Sequence, residues 1–329
     1  MPDKMSLLRD VFGHDHFRPG QETIIDALIN GTDVMAILPT GGGKSLCYQL
    51  PALVLPGMTI VISPLISLME DQVSSLKMRG VAAYAYHSHL SSRQRAQLQE
   101  ALEHQKIKLL YISPERLANE AFFSCISRCH VSMICVDEAH CLSQWGDEFR
   151  PAYRKIGKLI PRLNSTTRPV ICAFTGSATP QIRDDIIESL GLQDPLILAH
   201  SFDRPNLYFQ TIHTEKKMSA LMPLLQKYRG LCGIIYCLTR NSVEALAIAL
   251  KEEAFPCLVY HGGMDATERL ANQEAWMKSK GRLMIATSAF GMGIDKPDVR
   301  FVIHYQLPTD MESYYQEAGR AGRDGKPSD

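Results

Sequence analysis

The sequence predicts an α/β protein of two lobes, each a mainly parallel sheet flanked by helices. Two observations carry the fold class: short apolar runs that end in turn or polar residues recur along the chain, and stretches with helical spacing separate them. A third gives the number of lobes, because the alternation pauses at one connector containing Pro and Asp and then restarts. In order, "VMAIL" (34–38), "TIVIS" (59–63), "LLYIS" (109–113), "MICVD" (133–137) and "VICAFT" (170–175) are the expected strands of the first lobe. Ile24, Ile25, Leu28 and Ile29 in "QETIIDALIN" show the helical spacing between them. "LGLQDPLILAHSFDRPN" (190–206) reads as the connector. "GIIYC" (233–237), "CLVYH" (257–261), "LMIAT" (283–287) and "FVIHY" (301–305) are the strands expected of the second lobe. The expected division is 1–200 and 201–329.

Composition narrows the class of protein. Of the 329 residues 45% are hydrophobic and 21% charged, as in ordered globular chains. No apolar run approaches the roughly 18 residues that cross a bilayer, and "MPDKMSLLRD" has no apolar signal core, so a cytoplasmic (nucleoid) or nuclear protein without a membrane partner is expected. Nine cysteines, an odd number without a Cys-x-x-Cys pair, read as buried free thiols, and no zinc is expected. Lys plus Arg equals Asp plus Glu at 35 each, a balance that still allows a basic groove on one face.

The candidate chemistry begins at "LPTGGGKS" (38–45). It follows an expected strand and precedes the helix-like "SLCYQLPAL", the setting in which a glycine-rich loop aims backbone N–H groups and a helix dipole at phosphate. Thr40, Gly41, Gly42 and Gly43 form the loop, Lys44 would reach the β- and γ-phosphates of ATP, and Ser45 would offer its hydroxyl to Mg²⁺. Leu38 stands where the phosphate-loop pattern has its first glycine. The second half is "MICVDEAH": Asp137 would hold Mg²⁺ through its water shell and Glu138 would orient or deprotonate the attacking water.

The ordered set "FRPGQ", "TGGGKS", "SPLISLMEDQV", "LLYISPERL", "DEAH", "QWGDEFRPAY", "ATSAFGMGIDKPDVRFVIHY" and "SYYQEAGRAGRDG" resembles the RecQ family of DNA helicases, within helicase superfamily two, over essentially the whole chain. The resemblance implies two RecA-like lobes with an ATP cleft between them, and members of the superfamily also replace the first loop glycine. It assigns the adenine site to "FGHDHFRPGQ", with Gln21 on the polar edge of the base, Arg18 beside it, and His14 where the family often has Tyr. It assigns Arg320 and Arg323, three residues apart and about one helical turn, to the γ-phosphate, with Gln316 beside them. Gly293 and Asp295 would approach the ribose, Asp295 standing where the family often has Asn.

Coupling to nucleic acid is likewise implied by the resemblance. "HCLSQWGDEFRPAY" (140–153) matches the family's aromatic-rich loop, in which His140, Trp145, Phe149 and Arg150 would join nucleotide to strand. Asp147-Glu148 replaces the usual His-Asp there, and "TGSA" replaces Thr-Ala-Thr-Ala, leaving the Thr175 and Ser177 hydroxyls as the link to the acidic motif. "SPLISL", "SPERL", "YCLTR" with Arg240, and "ATS" are the expected backbone contacts.

The expected function is therefore ATP-dependent, 3′ to 5′ movement on single-stranded DNA and unwinding of duplex DNA at junctions, in repair and recombination, with the oligomeric state left open and a monomer favoured. The zinc module and winged helix of many relatives are not in this sequence, and the Cys125–Cys129 spacing does not replace them. A double-stranded DNA translocase or remodeller, or an RNA helicase, would share the ATP motifs; the aromatic-rich loop speaks against the first, and backbone contacts alone do not exclude the second. A non-enzymatic nucleotide-regulated module would not need both carboxylates, the lysine and the arginine pair.

Overall fold

The computed structural model describes residues 3–39, 41–117, 119–143, 151–163, 168–199, 204–291 and 296–329. The chain divides into two compact units, Met1–Ser201 and Phe202–Asp329, each built on a parallel sheet.

Among the described residues of the first unit the strands are β1 (Val34–Ile37), β2 (Met58–Ile62), β3 (Ala83–Tyr86), β4 (Leu109–Ile112), β5 (Val131–Val136), β6 (Val170–Thr175) and β7 (Leu196–Ala199). They pair in the order β3-β4-β2-β5-β6-β1-β7, parallel throughout. Successive side chains of a strand point to opposite faces, so Met35 and Ile37 enter one core while Val34 and Ala36 enter the other. A sheet covered on both faces favours apolar residues on each, which is why β1 and β4 read as unbroken apolar runs and β2 as one interrupted only by Thr59.

β3 and β7 were not among the expected strands, and both are edges. β3 is "AYAY" and mostly half-buried, and β7 is "LILA" with half-buried and exposed residues in alternation. An edge strand has one neighbour and partial cover, so it needs no continuous apolar run. The expected connector 190–206 is corrected accordingly: within it Leu196–Ala199 is a strand paired to β1.

The second unit has β8 (Cys232–Tyr236), β9 (Cys257–Tyr260), β10 (Leu283–Ala286) and β11 (Val299–His304), in the parallel order β11-β8-β10-β9 among the described residues. Ile235 and Ile285 pack into one core and Ile234 and Met284 into the other. No helix of the described residues is long and apolar enough to cross a membrane.

The amino ends of β1 and β6 and the segment leading into β7 are tied together by one buried carboxylate. Asp33, 2% exposed, accepts hydrogen bonds from Arg168 Nη1 (3.0 Å) and Nη2 (2.7 Å) and from the backbone amides of Ile171 (2.9 Å) and Gln193 (2.8 Å). Removing it strands the buried Ile171 amide and takes acceptors from the partly buried Gln193 amide and the Arg168 guanidinium. We expect Asp33→Ala to lower stability by about 3 kcal/mol, read as a loss of roughly 6–12 °C in Tm; a Tm within 1 °C of wild type, an arbitrary limit of about experimental error, contradicts this role.

Candidate nucleotide site

β5, β6 and β1 are neighbours, so their carboxyl ends lie side by side, and each leads into one of the expected motifs. Backbone pairing continues past the strands: Leu38 N–H donates to Thr175 O (3.0 Å) and Asp137 N–H to Ile62 O (2.8 Å). The segments beginning at Ser63, Ser113, Cys237 and Thr287 likewise follow directly on β2, β4, β8 and β10.

The glycine loop ends in helix Lys44–Val54, whose N-cap, Gly43, is left-handed (φ 77°, ψ 34°) and supplies no capping side chain. A Cβ on Gly43 would sit 2.3 Å from Gln21 Nε2, so both the conformation and the close approach require glycine. The first amides of the helix are then donors without intrahelical acceptors, the property that suits an anion. Gln21 is 3% exposed and donates to Gly43 O (3.2 Å) and Gly42 O (3.4 Å), while its Oε1 accepts from the Arg18 amide (2.8 Å). The Arg18 guanidinium donates to Gly41 O. Both side chains expected at the base therefore brace the carbonyl side of the loop here, and His14 is exposed.

Lys44 Nζ lies 3.3 Å from Glu138 Oε1, joining the loop to the acidic motif. Glu138 is a non-glycine residue in the left-handed region (φ 47°, ψ 50°), a conformation that costs on the order of 1–3 kcal/mol. Its N–H donates to Asp137 Oδ1 (3.0 Å) and its carbonyl accepts from Cys141 N–H (3.0 Å), the contacts that hold the turn. Asp137 is 6% exposed. Burial pushes its pKa up to about 6, the neighbouring Glu138 carboxylate adds to the rise, and Lys44 opposes it.

From Glu138 polar contacts run to β6. Glu138 Oε2 is 3.5 Å from His140 Nδ1, which is 2.9 Å from Thr175 Oγ1. Thr175 donates its hydroxyl proton to Ser177 O (2.8 Å), so its oxygen accepts from His140 and Nδ1 carries the proton. The Ser177 hydroxyl is buried without a hydrogen-bond partner among the described residues. Tyr153, the last residue of the expected aromatic-rich segment but given no role of its own there, donates to Asp137 O (3.2 Å) and fixes the acidic turn from behind.

In the second unit Gln316 lies half-buried on helix Met311–Ala318, N-capped by Asp310, whose Oδ1 accepts from Ser313 N–H (2.6 Å). The helix stops at Ala318, so Arg320 and Arg323 stand on successive turns beyond it and not on one helical face, a correction to the expected geometry. Arg320 is 4% exposed and hydrogen-bonds Tyr236, and a side chain at Gly291 would meet its guanidinium. Tyr236 and Gly291 lie within the stretches "YCLTR" and "ATSAFGMGIDKPDVRFVIHY" but were given no role there, and Arg204 and Asn206 lie in the expected connector. Arg240 is exposed at the first position of helix Arg240–Glu252 and lies against Gly263. Thr40, Trp145, Asp147, Glu148, Phe149, Arg150, Gly293 and Asp295 lie outside the described residues.

One carboxylate and one hydroxyl, Asp137 and Ser45, are the hard oxygen donors that suit Mg²⁺, which keeps waters and takes its other ligands from phosphate. Among the described residues no group of three or more His, Cys, Asp or Glu is placed to cage a metal with protein alone, and the nine cysteines are free thiols.

Residues 18–186 match the DEAD/DEAH box helicase family and residues 216–325 the helicase conserved C-terminal domain, so fold and site define a protein of the DEAD/DEAH box helicase class. The ATP-dependent DNA helicase RecQ of Pasteurella multocida is 44% identical over 99% of this chain and 51% of its own length. The RecQ of Synechocystis sp. is 42% identical over 100% of the chain and 71% of its own length. The chain belongs to the RecQ family. It spans about half the length of several of the curated relatives it matches. The structure of Mss116p bound to ssRNA and AMP-PNP superposes with a TM-score of 0.77 at 16% identity, covering 100% of this chain and 71% of that one, a likeness of fold alone.

The raised Asp137 pKa has a stability consequence in the protein free of metal and nucleotide. With a folded value of about 6 above an unfolded value near ~3.9, ionisation opposes folding increasingly as pH rises through that window and fully above it. Asp137→Asn is expected to raise Tm most above pH ~6, with the gain shrinking toward pH ~4. A gain that does not vary with pH contradicts the buried-charge explanation.

Proposed function

We propose that the chain is the motor of an ATP-dependent DNA helicase, in which ATP hydrolysis drives 3′ to 5′ movement on single-stranded DNA and separates duplex DNA at junctions during repair and recombination. The observation that carries this reading is the 3.3 Å contact between Lys44 of the glycine loop and Glu138, beside buried Asp137, at the ends of strands in one parallel sheet. The relatives' name, ATP-dependent DNA helicase RecQ, supports the choice of DNA.

In this reading the loop amides and Lys44 bind the phosphate chain of ATP. A phosphate that draws Lys44 away from Glu138 leaves that carboxylate to orient and deprotonate the attacking water. Asp137 and Ser45 would hold Mg²⁺, which supplies charge to the phosphate oxygens. Gln21 and Arg18 would exchange their contacts to the loop carbonyls to serve the base with His14, and Gly293 and Asp295 serve the ribose. Arg320 and Arg323, with Gln316, are assigned the charge that develops on the transferring phosphoryl group. The hydrogen bond from His140 to Thr175, and from Thr175 to Ser177, is the candidate route from hydrolysis to the strand. Trp145 and Phe149 would stack on bases, and Arg150 and Arg240 would hold phosphates. Contacts of this kind read no sequence, so binding should be non-specific and should weaken with salt.

Steady-state ATP turnover with single-stranded DNA, duplex DNA and RNA as stimulants tests the reading. Single-stranded DNA is expected to stimulate most, and Lys44→Ala to reduce turnover to background. Trp145→Ala, which removes about 1–3 kcal/mol of stacking, is expected to raise the half-saturating DNA concentration by roughly 5- to 150-fold. Turnover surviving Lys44→Ala defeats the ATPase assignment, equal stimulation by RNA defeats the choice of DNA, and an unchanged DNA response in Trp145→Ala defeats the aromatic coupling alone.

A further inference from the structure

The turn that carries Arg320 and Arg323 begins where helix Met311–Ala318 ends. The helix-end carbonyls of Tyr315, Glu317 and Ala318 accept from the amides of Gly319, Arg320 and Ala321. The next carbonyls, on the cap and the turn itself, are reached by one side chain. Arg204 donates from Nη1 to Gly319 O (3.4 Å) and from Nη2 to Ala321 O (2.9 Å) and Gly322 O (3.0 Å). Its Nε donates to Asn206 Oδ1 (3.4 Å), which orients the second clamp: Asn206 Nδ2 donates to Gly322 O (2.9 Å) and Lys326 O (3.0 Å).

The fit is close. Gly322 is left-handed (φ 59°), and a Cβ there would come 2.4 Å from Asn206 Nδ2, so the turn can approach Asn206 only with glycine. Gly322 N–H donates in turn to Val299 O (2.9 Å) at the start of β11, and Arg300 Nη2 pairs with Asp324 (2.7 Å) on the outer side. Inside this frame Arg320 is 4% exposed, and its Nε has no hydrogen-bond partner among the described residues. Its direction is set by the backbone that carries it together with Tyr236 and the close approach of Gly291. Arg204 and Asn206 follow residues 201–203 at the start of the second unit, more than a hundred positions from the turn they hold.

We infer that Arg204, oriented by Asn206, is a positioning residue for ATP turnover: its forked donors set the backbone from which Arg320 and Arg323 are presented to phosphate. The inference rests on the role proposed above for those two arginines. Lysine at 204 keeps the charge and most of the aliphatic stem but cannot span three carbonyls, so the fork and not the charge is the working feature.

The test uses the full chain with single-stranded DNA at saturation and turnover normalised to folded protein. Arg204→Lys is expected to lower kcat by about 10- to 100-fold, as misplacement of a charge-stabilising group does, with KM for ATP within about threefold of wild type. Asn206→Ala, a smaller change that leaves Arg204 in place, is expected to lower kcat in the same sense by less. In an Arg320→Ala/Arg323→Ala background, Arg204→Lys is expected to add nothing further. Wild-type kcat in that arginine-free background would refute the proposed role of the two arginines. If that background is impaired but Arg204→Lys keeps kcat within twofold, or lowers it as much without the arginines as with them, the positioning inference is wrong and Arg204 only supports the fold.

Discussion

Parallel pairing of β1, β6 and β5 is the constraint on which the first unit depends. It puts three carboxyl ends in a row, and with them the glycine loop, Thr175 and the two acids. The register matters as much as the order: Ile37 faces Thr175, and Val136 faces Ala173. A slip of one residue would turn each following loop to the opposite face and separate Lys44 from Glu138. The buried aliphatic faces on both sides of the sheet hold that register, so the packing of the core and the geometry of the site are one problem.

Local strain is then tolerated where the scaffold over-determines it. Glu138 keeps a left-handed backbone because Asp137 and Cys141 bind the turn on both sides and Tyr153 holds Asp137 O from behind. Asp137 stays buried with its pKa displaced upward by burial and by its neighbour. A carboxylate held in that way gains from a cation placed beside it, which is a physical reason for an acidic pair at a strand end to accompany a lysine loop. In the second unit the same logic runs with opposite sign: carbonyls of the turn that follows a helix are satisfied by guanidinium and amide donors, and the turn so held carries two arginines.

Central strands were legible in the sequence because burial on both faces demands continuous apolar runs; "VICAFT" matches β6 end to end. The edges β3 and β7 were not, since partial exposure lets "AYAY" and "LILA" pass as loop or connector. At the site, Lys44, Asp137 and Glu138 were readable because their chemistry depends on neighbours in sequence as well as in space. The Gln21 and Arg18 contacts to loop carbonyls were not, because a side-chain amide carries no sign of which acceptor it will find. Arg204 and Asn206 were hidden for a further reason: their partners lie more than a hundred residues downstream and are backbone atoms, which leave no trace in residue type.

Hydrogen–deuterium exchange of the full chain, with and without a non-hydrolysable ATP analogue and Mg²⁺, tests the central claim most directly. If phosphate is received by the loop after β1 and the acids after β5, the amides of residues 41–46 and 137–143 gain the strongest protection. Protection elsewhere, with residues 41–46 exchanging as fast as in the ligand-free protein, would contradict it.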